Sequence, residues 1–202
     1  MQSELLIALI GFAFVTSVTP GPNNMMLMAS GANFGIRRTL PHMLGVSLGF
    51  AAMVMVLGLG VDRIITGSPL LSELLKWTSL AYMLWLAWKI AHAGRPSDPT
   101  ASDTAASDTV RPMTFLQAAA FQWVNPKAWA MALGALSAYA AGVGGALVVG
   151  LVFALVNLPS VSIWAAMGQG LRRHLAEPGR LRVFNWTMAG LLVLSMLPVL
   201  RH

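Results

Sequence analysis

Two short polar stretches lie inside otherwise apolar sequence, and they hold the chemistry this chain can offer. The first is Thr19-Pro20-Gly21-Pro22-Asn23-Asn24, set within an apolar run from Leu5 to about Phe34; the second is Asn125-Pro126-Lys127. A proline lacks the backbone N–H and clashes one turn back, so each stretch predicts a helix that breaks and restarts. Asn125 is a favoured N-cap and Pro126 a favoured first helical residue, and Gly21-Pro22 can start a helix in the same way. A helix that begins in apolar surroundings presents free N–H groups and the positive end of its dipole. Two such ends, with Lys127 in the first turn of one, suit an anionic group such as a carboxylate. The ammonium of the same ligand would then use carbonyls near Ser17 and Val18. The candidate substrate-binding residues are Pro20, Gly21, Pro22, Asn23, Asn24, Asn125, Pro126 and Lys127.

Other chemistries are poorly served. The acidic residues are Glu4, Asp62, Glu73, Asp98, Asp103, Asp108 and Glu177, all in predicted loops or at the ends of apolar runs. The histidines His42, His92, His174 and His202 are read as peripheral too. No cysteine is present, which excludes disulfides, thiolate metal sites and Cys nucleophiles. No catalytic triad or metal-ligand spacing falls within an apolar run, so neither an enzyme, nor a metal, nor a cofactor is expected.

The elements that position these residues must be membrane spans. Of 202 residues, 56% are hydrophobic and 10% charged, against about 25% charged in an ordinary soluble domain. The mean hydropathy is +0.69. The pI of about 10.8 reflects Lys and Arg in loops, as expected of a membrane protein, rather than a nucleic-acid partner. The start is expected to be the first half of a span rather than a signal peptide, because Glu4 stands in place of a basic n-region and no small-residue cleavage site follows.

Six spans account for the length. Span 1 comprises half-helices at about 5–19 and 22–33, followed by a short basic loop Gly35-Ile36-Arg37-Arg38. Span 2 runs from about Leu40 to Gly60, and its Gly45 and Gly49 have the spacing that lets helix backbones pack closely. Span 3 covers about Leu70 to Ala91, with Trp77, Tyr82, Trp85 and Trp88 as interface anchors or packing residues. A polar stretch at 95–112 reads as a solvated linker. Span 4 (about Met113 to Tyr139) is broken at Asn125-Pro126. Span 5 (about Gly145 to Gly168) is interrupted at Asn157-Leu158-Pro159, and span 6 runs from about Val183 to Val199.

Charge orients the whole. Arg37, Arg38, Lys89, Arg95, Arg111, Arg172, Arg173, Arg180 and Arg182 fall on one side, against Arg63, Lys76 and Arg201 on the other. The richer side is cytoplasmic, which puts both termini outside. The offset that takes Pro22 onto Pro126 also takes span 2 onto span 5. Three spans per half force the halves to run in opposite directions, the inverted-repeat plan of secondary transporters. The expected fold is thus an all-α membrane protein of six transmembrane helices. They form two inverted three-helix repeats, 1–94 and 113–202, joined by a cytoplasmic linker at 95–112, with spans 1 and 4 broken near the midplane.

The motifs resemble a known family. Thr19-Pro20-Gly21-Pro22-Asn23-Asn24, Gly31, Gly35, Gly45-Val-Ser-Leu-Gly49, Lys76-Trp77, Ala81-Tyr82, Trp85 to Lys89 and Asn125-Pro126-Lys127 are similar to the LysE/RhtB family of bacterial amino-acid exporters. Leu48-Gly49-Phe50 is closest to the branch that contains cysteine and O-acetylserine exporters. The resemblance implies a multi-pass protein of the bacterial inner membrane that exports amino acids or derivatives, driven by the proton gradient. Many family members carry an acidic residue where this chain has Phe50. With a single pair of midplane breaks and no buried carboxylate, small neutral amino acids are expected over lysine or arginine. The expected partners are an amino-acid substrate, a proton and the lipid bilayer, with a homo-oligomer left open. The competing readings are a passive amino-acid facilitator and a non-transporting membrane scaffold.

Overall fold

The computed structural model describes residues 2–61, 67–93 and 111–197. Most of the expected linker at 95–112 and the loop residues Asp62–Thr66 lie outside the described residues. Among those described, all regular structure is helical. The helices are α1 (Gln2–Val18), α2 (Pro22–Phe34), α3 (Ile36–Val56), α4 (Pro69–Ala91), α5 (Phe115–Phe121), α6 (Pro126–Val143), α7 (Ala146–Leu171) and α8 (Pro178–Leu194).

Local chemistry sets most boundaries. α1 stops at Val18 before the two prolines, and α2 restarts with Gly21 as N-cap and Pro22 in its first turn. The two axes are bent by 56°. Only Gly35, at φ +79, separates α2 from α3, so Ile36, Arg37 and Arg38 form the first turn of α3 rather than a basic loop. Ser68 caps α4, and Thr114 with Gln117 forms a capping box on α5. Gly144, left-handed at φ +100, ends α6. α7 is continuous across Asn157-Leu158-Pro159, which corrects the interruption expected there. A proline is tolerated in a membrane helix when neighbouring helices and hydroxyl side chains support the backbone. Here Ser160 and Ser162 donate to Val156 O and Leu158 O at 2.7 and 2.6 Å, while α1, α2 and α3 all pack on α7.

Ile36–Gly60 and Ala146–Leu171 are each long and apolar enough to cross a membrane, and α1 with α2 qualifies as one bent span. Their outward faces are apolar: Ile7, Phe14, Leu48, Leu147, Leu151 and Leu155 are exposed, as a lipid-facing surface requires. Trp77, Trp85 and Trp88 are exposed as well.

Small residues bring backbones together. A Cβ on Gly31 would stand 2.1 Å from Ala165 O, and one on Gly168 would stand 2.0 Å from Met28 O, so α2 and α7 touch through main chain. Gly45 and Gly49 do the same for α3 against α5, facing Phe115 O and Ala119 Cα at 2.4 Å. The close-packing reading of that glycine pair is therefore right. α1 lies on α7 much as α5 lies on α3, and α4 packs against α8. The ends of α2, α4 and α7 meet the starts of α3 and α5 at one end of the molecule, here called the basic end. There Gln169 Oε1 accepts from Ile36 N, and Asn185 Nδ2 donates to Ala93 O. Away from that end, Leu9, Ala13, Phe50, Met53, Met131, Val149 and Phe153 form a continuous core from α1, α3, α6 and α7.

Candidate functional site

The break after α1 should leave its last carbonyls without partners, yet each one from Val15 to Pro20 has one. Thr19 N and Oγ1 donate to Val15 O, and Thr19 Oγ1 also reaches Thr16 O. Asn24 Nδ2 folds back to Ser17 O (2.9 Å) and Thr19 O (2.7 Å). Trp164 of α7 donates its indole N–H to Val18 O at 3.0 Å. Lys127 Nζ completes the set, reaching Thr19 O at 2.5 Å and Pro20 O at 3.4 Å. A cation at a helix C-terminus interacts favourably with the dipole there. Lys127 thus caps the first broken helix from the second break, rather than bonding within its own.

The second break is closed differently. α5 tightens into a 3-10 turn at Gln122–Val124, Asn125 becomes extended, and its Oδ1 accepts from Lys127 N at 3.1 Å. Asn125 O accepts from Ala128 N and Trp129 N. The N-terminus of α6 therefore has its donors engaged, contrary to the free N–H groups expected from sequence. α2 differs: Gly21 provides no side-chain cap, so among the described residues the N–H groups of Asn23 and Asn24 keep that character. The carbonyls of Ser17 and Val18, expected to serve an ammonium, are already taken by Asn24 and Trp164.

An amide pair joins the breaks. Asn23 Nδ2 donates to Gln122 Oε1 at 2.9 Å, and Gln122 Nε2 returns a bond to Asn23 Oδ1 at 3.2 Å. Around this pair lies a small cavity of about 20 Å³ lined by Ser17, Gly21, Asn23, Asn24, Phe50, Gln122, Asn125, Lys127 and Asn157, among others. Gly21, Asn23, Asn24, Asn125 and Lys127 therefore converge on one space, while Pro20, Pro22 and Pro126 shape the backbone without lining it. Lys127 is the one ionisable side chain on that lining. The cavity has room for one or two waters at about 10–15 Å³ each, which is less than an amino acid needs.

Sequence reasoning overlooked Gln122 as a site residue and read Asn157 as part of a kink. Both are polar amides inside apolar helices, which is the signal that could have found them. Ser17 is 4% exposed, and its Oγ lacks a partner among the described residues.

The model of the LysE type translocator family matches residues 14–197. The chain belongs to that family. This translocator is 33% identical over 198 residues to the cysteine/O-acetylserine efflux protein of Escherichia coli strain K12, an alignment covering 96% of each chain. It is 30% identical over 197 residues to the protein of the same name in Klebsiella pneumoniae subsp. pneumoniae, covering 96% of this chain and 95% of that one. No solved structure matches it. The resemblance read from the motifs is thus right: the chain is a membrane transporter, not an enzyme, and its relatives are exporters.

A second polar region of this translocator lies at the basic end. Ser30 Oγ and Thr39 Oγ1 are 2.8 Å apart, and Asn33 pairs with Asn185 of α8 at 2.9 Å. His42, read from sequence as peripheral, is 1% exposed in α3, and neither ring nitrogen has a partner among the described residues.

Proposed function

We propose that this translocator exports small neutral amino acids or close derivatives from the cytoplasm by alternating access, coupled to the proton gradient. The names of its efflux relatives make cysteine and O-acetylserine the first substrates to test. The observation that carries this reading is the junction of the two breaks. Lys127 and Gln122 from one half reach Thr19, Pro20 and Asn23 of the other around a small cavity lined in part by amides.

In this reading the chain forms six spans in the bacterial inner membrane as two inverted repeats, with the basic end cytoplasmic and both termini outside. The matching placement of α1 on α7 and α5 on α3 supports it. The substrate carboxylate approaches Lys127 and the uncapped N–H groups of Asn23 and Asn24, which draws Lys127 away from Thr19 and Pro20. Without Lys127, Pro20 O and the lone pair of Thr19 O that Asn24 does not use are open to the ammonium of the substrate. One exchange of partners thereby loosens the contact between the halves as the substrate enters, which couples binding to opening. A half-buried lysine that faces the cavity can also give up and regain a proton as the substrate comes and goes.

A passive facilitator is the second reading, and Phe50 favours it. Phe50 lines the cavity at the position where an acidic proton carrier would stand. Inside-out membrane vesicles distinguish the two: labelled serine, cysteine and O-acetylserine are offered with and without an imposed pH gradient. Gradient-dependent accumulation is expected. Equilibration indifferent to the gradient establishes the facilitator, and no uptake of any amino acid sinks both.

A further inference from the structure

We propose that the cleft at the basic end is a second binding site, a loading site for the zwitterionic head of an α-amino acid. It rests on the export reading and names a place where the substrate binds before it reaches the breaks. The cleft measures about 60 Å³ and lies between α2, α3, α4 and the segment leading into α5, with Ser30, Asn33, His42, Lys89 and Arg111 on its walls. It shares none of its lining with the cavity at the breaks.

The hydrogen bonds assign a polarity to each wall. Thr39 Oγ1 donates its one proton to Gly35 O at 2.9 Å, so in the 2.8 Å contact with Thr39 the donor must be Ser30. Ser30 Oγ is left with acceptor capacity only. His42 is fully buried with both nitrogens unpartnered among the described residues; as a neutral imidazole it offers one acceptor and one donor. The Asn33 amide is committed, donating to Ala29 O at 2.8 Å and to Asn185 Oδ1 at 2.9 Å, so it shapes the wall and binds nothing further. The cations line the same cleft. Arg111 is exposed, and Lys89, half-buried, holds Nζ 4.7 Å over the Trp85 ring. Neither makes an ion pair with a described residue.

A ligand that satisfies both sets carries an ammonium and a carboxylate on adjacent atoms. The ammonium donates to Ser30 Oγ and to one nitrogen of His42, and the carboxylate meets Lys89 and Arg111. The His42 N–H bonds whichever carboxylate oxygen it reaches. A phosphatidylglycerol headgroup would meet the two cations and the His42 N–H but carries no ammonium for Ser30 Oγ and the other ring nitrogen. A buried imidazole with no partner is disfavoured in a folded protein, and an amino-acid head supplies the partner.

The test uses the full chain in nanodiscs and equilibrium binding of labelled serine. Lys127→Met disables the site at the breaks, so binding that survives it reports the cleft. That residual affinity is expected to fall at least tenfold with Ser30→Ala and again with His42→Leu. His42→Leu removes a buried unpaired polar group, so its thermal midpoint should not fall, which separates lost binding from lost folding. N-acetylserine, which lacks the ammonium, is expected not to compete. Loss of all binding in Lys127→Met, residual binding untouched by both cleft variants, or equal competition by N-acetylserine overturns the proposal. So does displacement of serine when phosphatidylglycerol replaces phosphatidylcholine in the disc, which would make the cleft a headgroup site. Absence of vesicle transport with cleft binding intact counts against the export reading alone.

Discussion

Replacing Gly21 with alanine isolates the contact on which the proposed exchange of partners depends. Gly21 has φ −175 and ψ 179, an extended conformation that any residue adopts, so the backbone is not strained by a side chain. The new Cβ, however, would stand 2.6 Å from Lys127 Cδ, 3.1 Å from Nζ and 3.4 Å from Cε. Ordinary carbon–carbon contact needs about 3.5 Å, so the lysine must retreat by roughly 1 Å. That stretches its bond to Pro20 O, already 3.4 Å long, beyond hydrogen-bonding range and weakens the bond to Thr19 O. A hydrogen bond to a charged group contributes about 1.5–3 kcal/mol, and half-exposed Lys127 belongs at the lower end, about 1.5 kcal/mol. For a chain of this size the melting point should fall by roughly 3–6 °C.

The decisive measurement is a double-mutant cycle on thermal unfolding in nanodiscs, with vesicle transport recorded in parallel. In a Lys127→Ala background there is nothing for the new Cβ to strike. Gly21→Ala should then be harmless, or stabilising by about 0.4–1 kcal/mol through the unfolded chain. Additive effects within about 0.5 kcal/mol would mean the two residues are not coupled. Full transport by Gly21→Ala would mean the Lys127 contact is dispensable.

Other perturbations probe neighbouring contacts. Lys127→Met removes a charge whose insertion costs about 2.5–3.5 kcal/mol at the centre of a span. It should reach the membrane at least as well as the parent yet transport no carboxylate substrate; parental rates would make the lysine structural. Lys127→Arg keeps the charge but does not deprotonate at working pH; exchange without gradient-driven export would assign the proton to Lys127, while export at the parental level would exclude it. Gln122→Leu strips Asn23 of its partner and should destabilise by about 1–3 kcal/mol, with the Asn23→Leu/Gln122→Leu double variant recovering part of that loss in a melting assay. Gly31→Ala drives a methyl against Ala165 O, which is main chain and cannot yield; poor folding yield is expected, and normal expression would show that α2 and α7 can separate freely. Competition assays should favour serine over lysine and arginine, and preferred export of a dibasic amino acid would contradict the site chemistry.

The breaks were legible because their causes are local. Pro20, Pro22 and Pro126 lack an N–H wherever they stand, and Asn125 caps the residue two positions on, so the ends of α1 and the start of α6 follow from a few neighbouring residues. The same is true of the apolar runs and of the Gly45/Gly49 spacing, whose packing role the structure bears out. Pro159 shows where this reasoning stops. It has the same chemistry as Pro126, yet α7 runs through it, with α1, α2 and α3 packed along α7 to support a continuous helix.

What the tertiary structure decided is which group meets which orphan. Lys127 finds Thr19 108 residues away, Gln122 finds Asn23 at a separation of 99, and Trp164 finds Val18 at 146. No local rule selects such partners. They are chosen when packing through Gly31, Gly45, Gly49 and Gly168 fixes the distances between helices. His42 followed the same logic in reverse: its place near a helix start suggested the periphery, and only the packing of α2, α5 and α7 on α3 left it buried with no partner among the described residues. Sequence determined where the backbone would be left unsatisfied, since that depends on residue type and near neighbours. Tertiary structure decided what satisfies it, since that depends on which distant side chains the packed helices bring within about 3 Å.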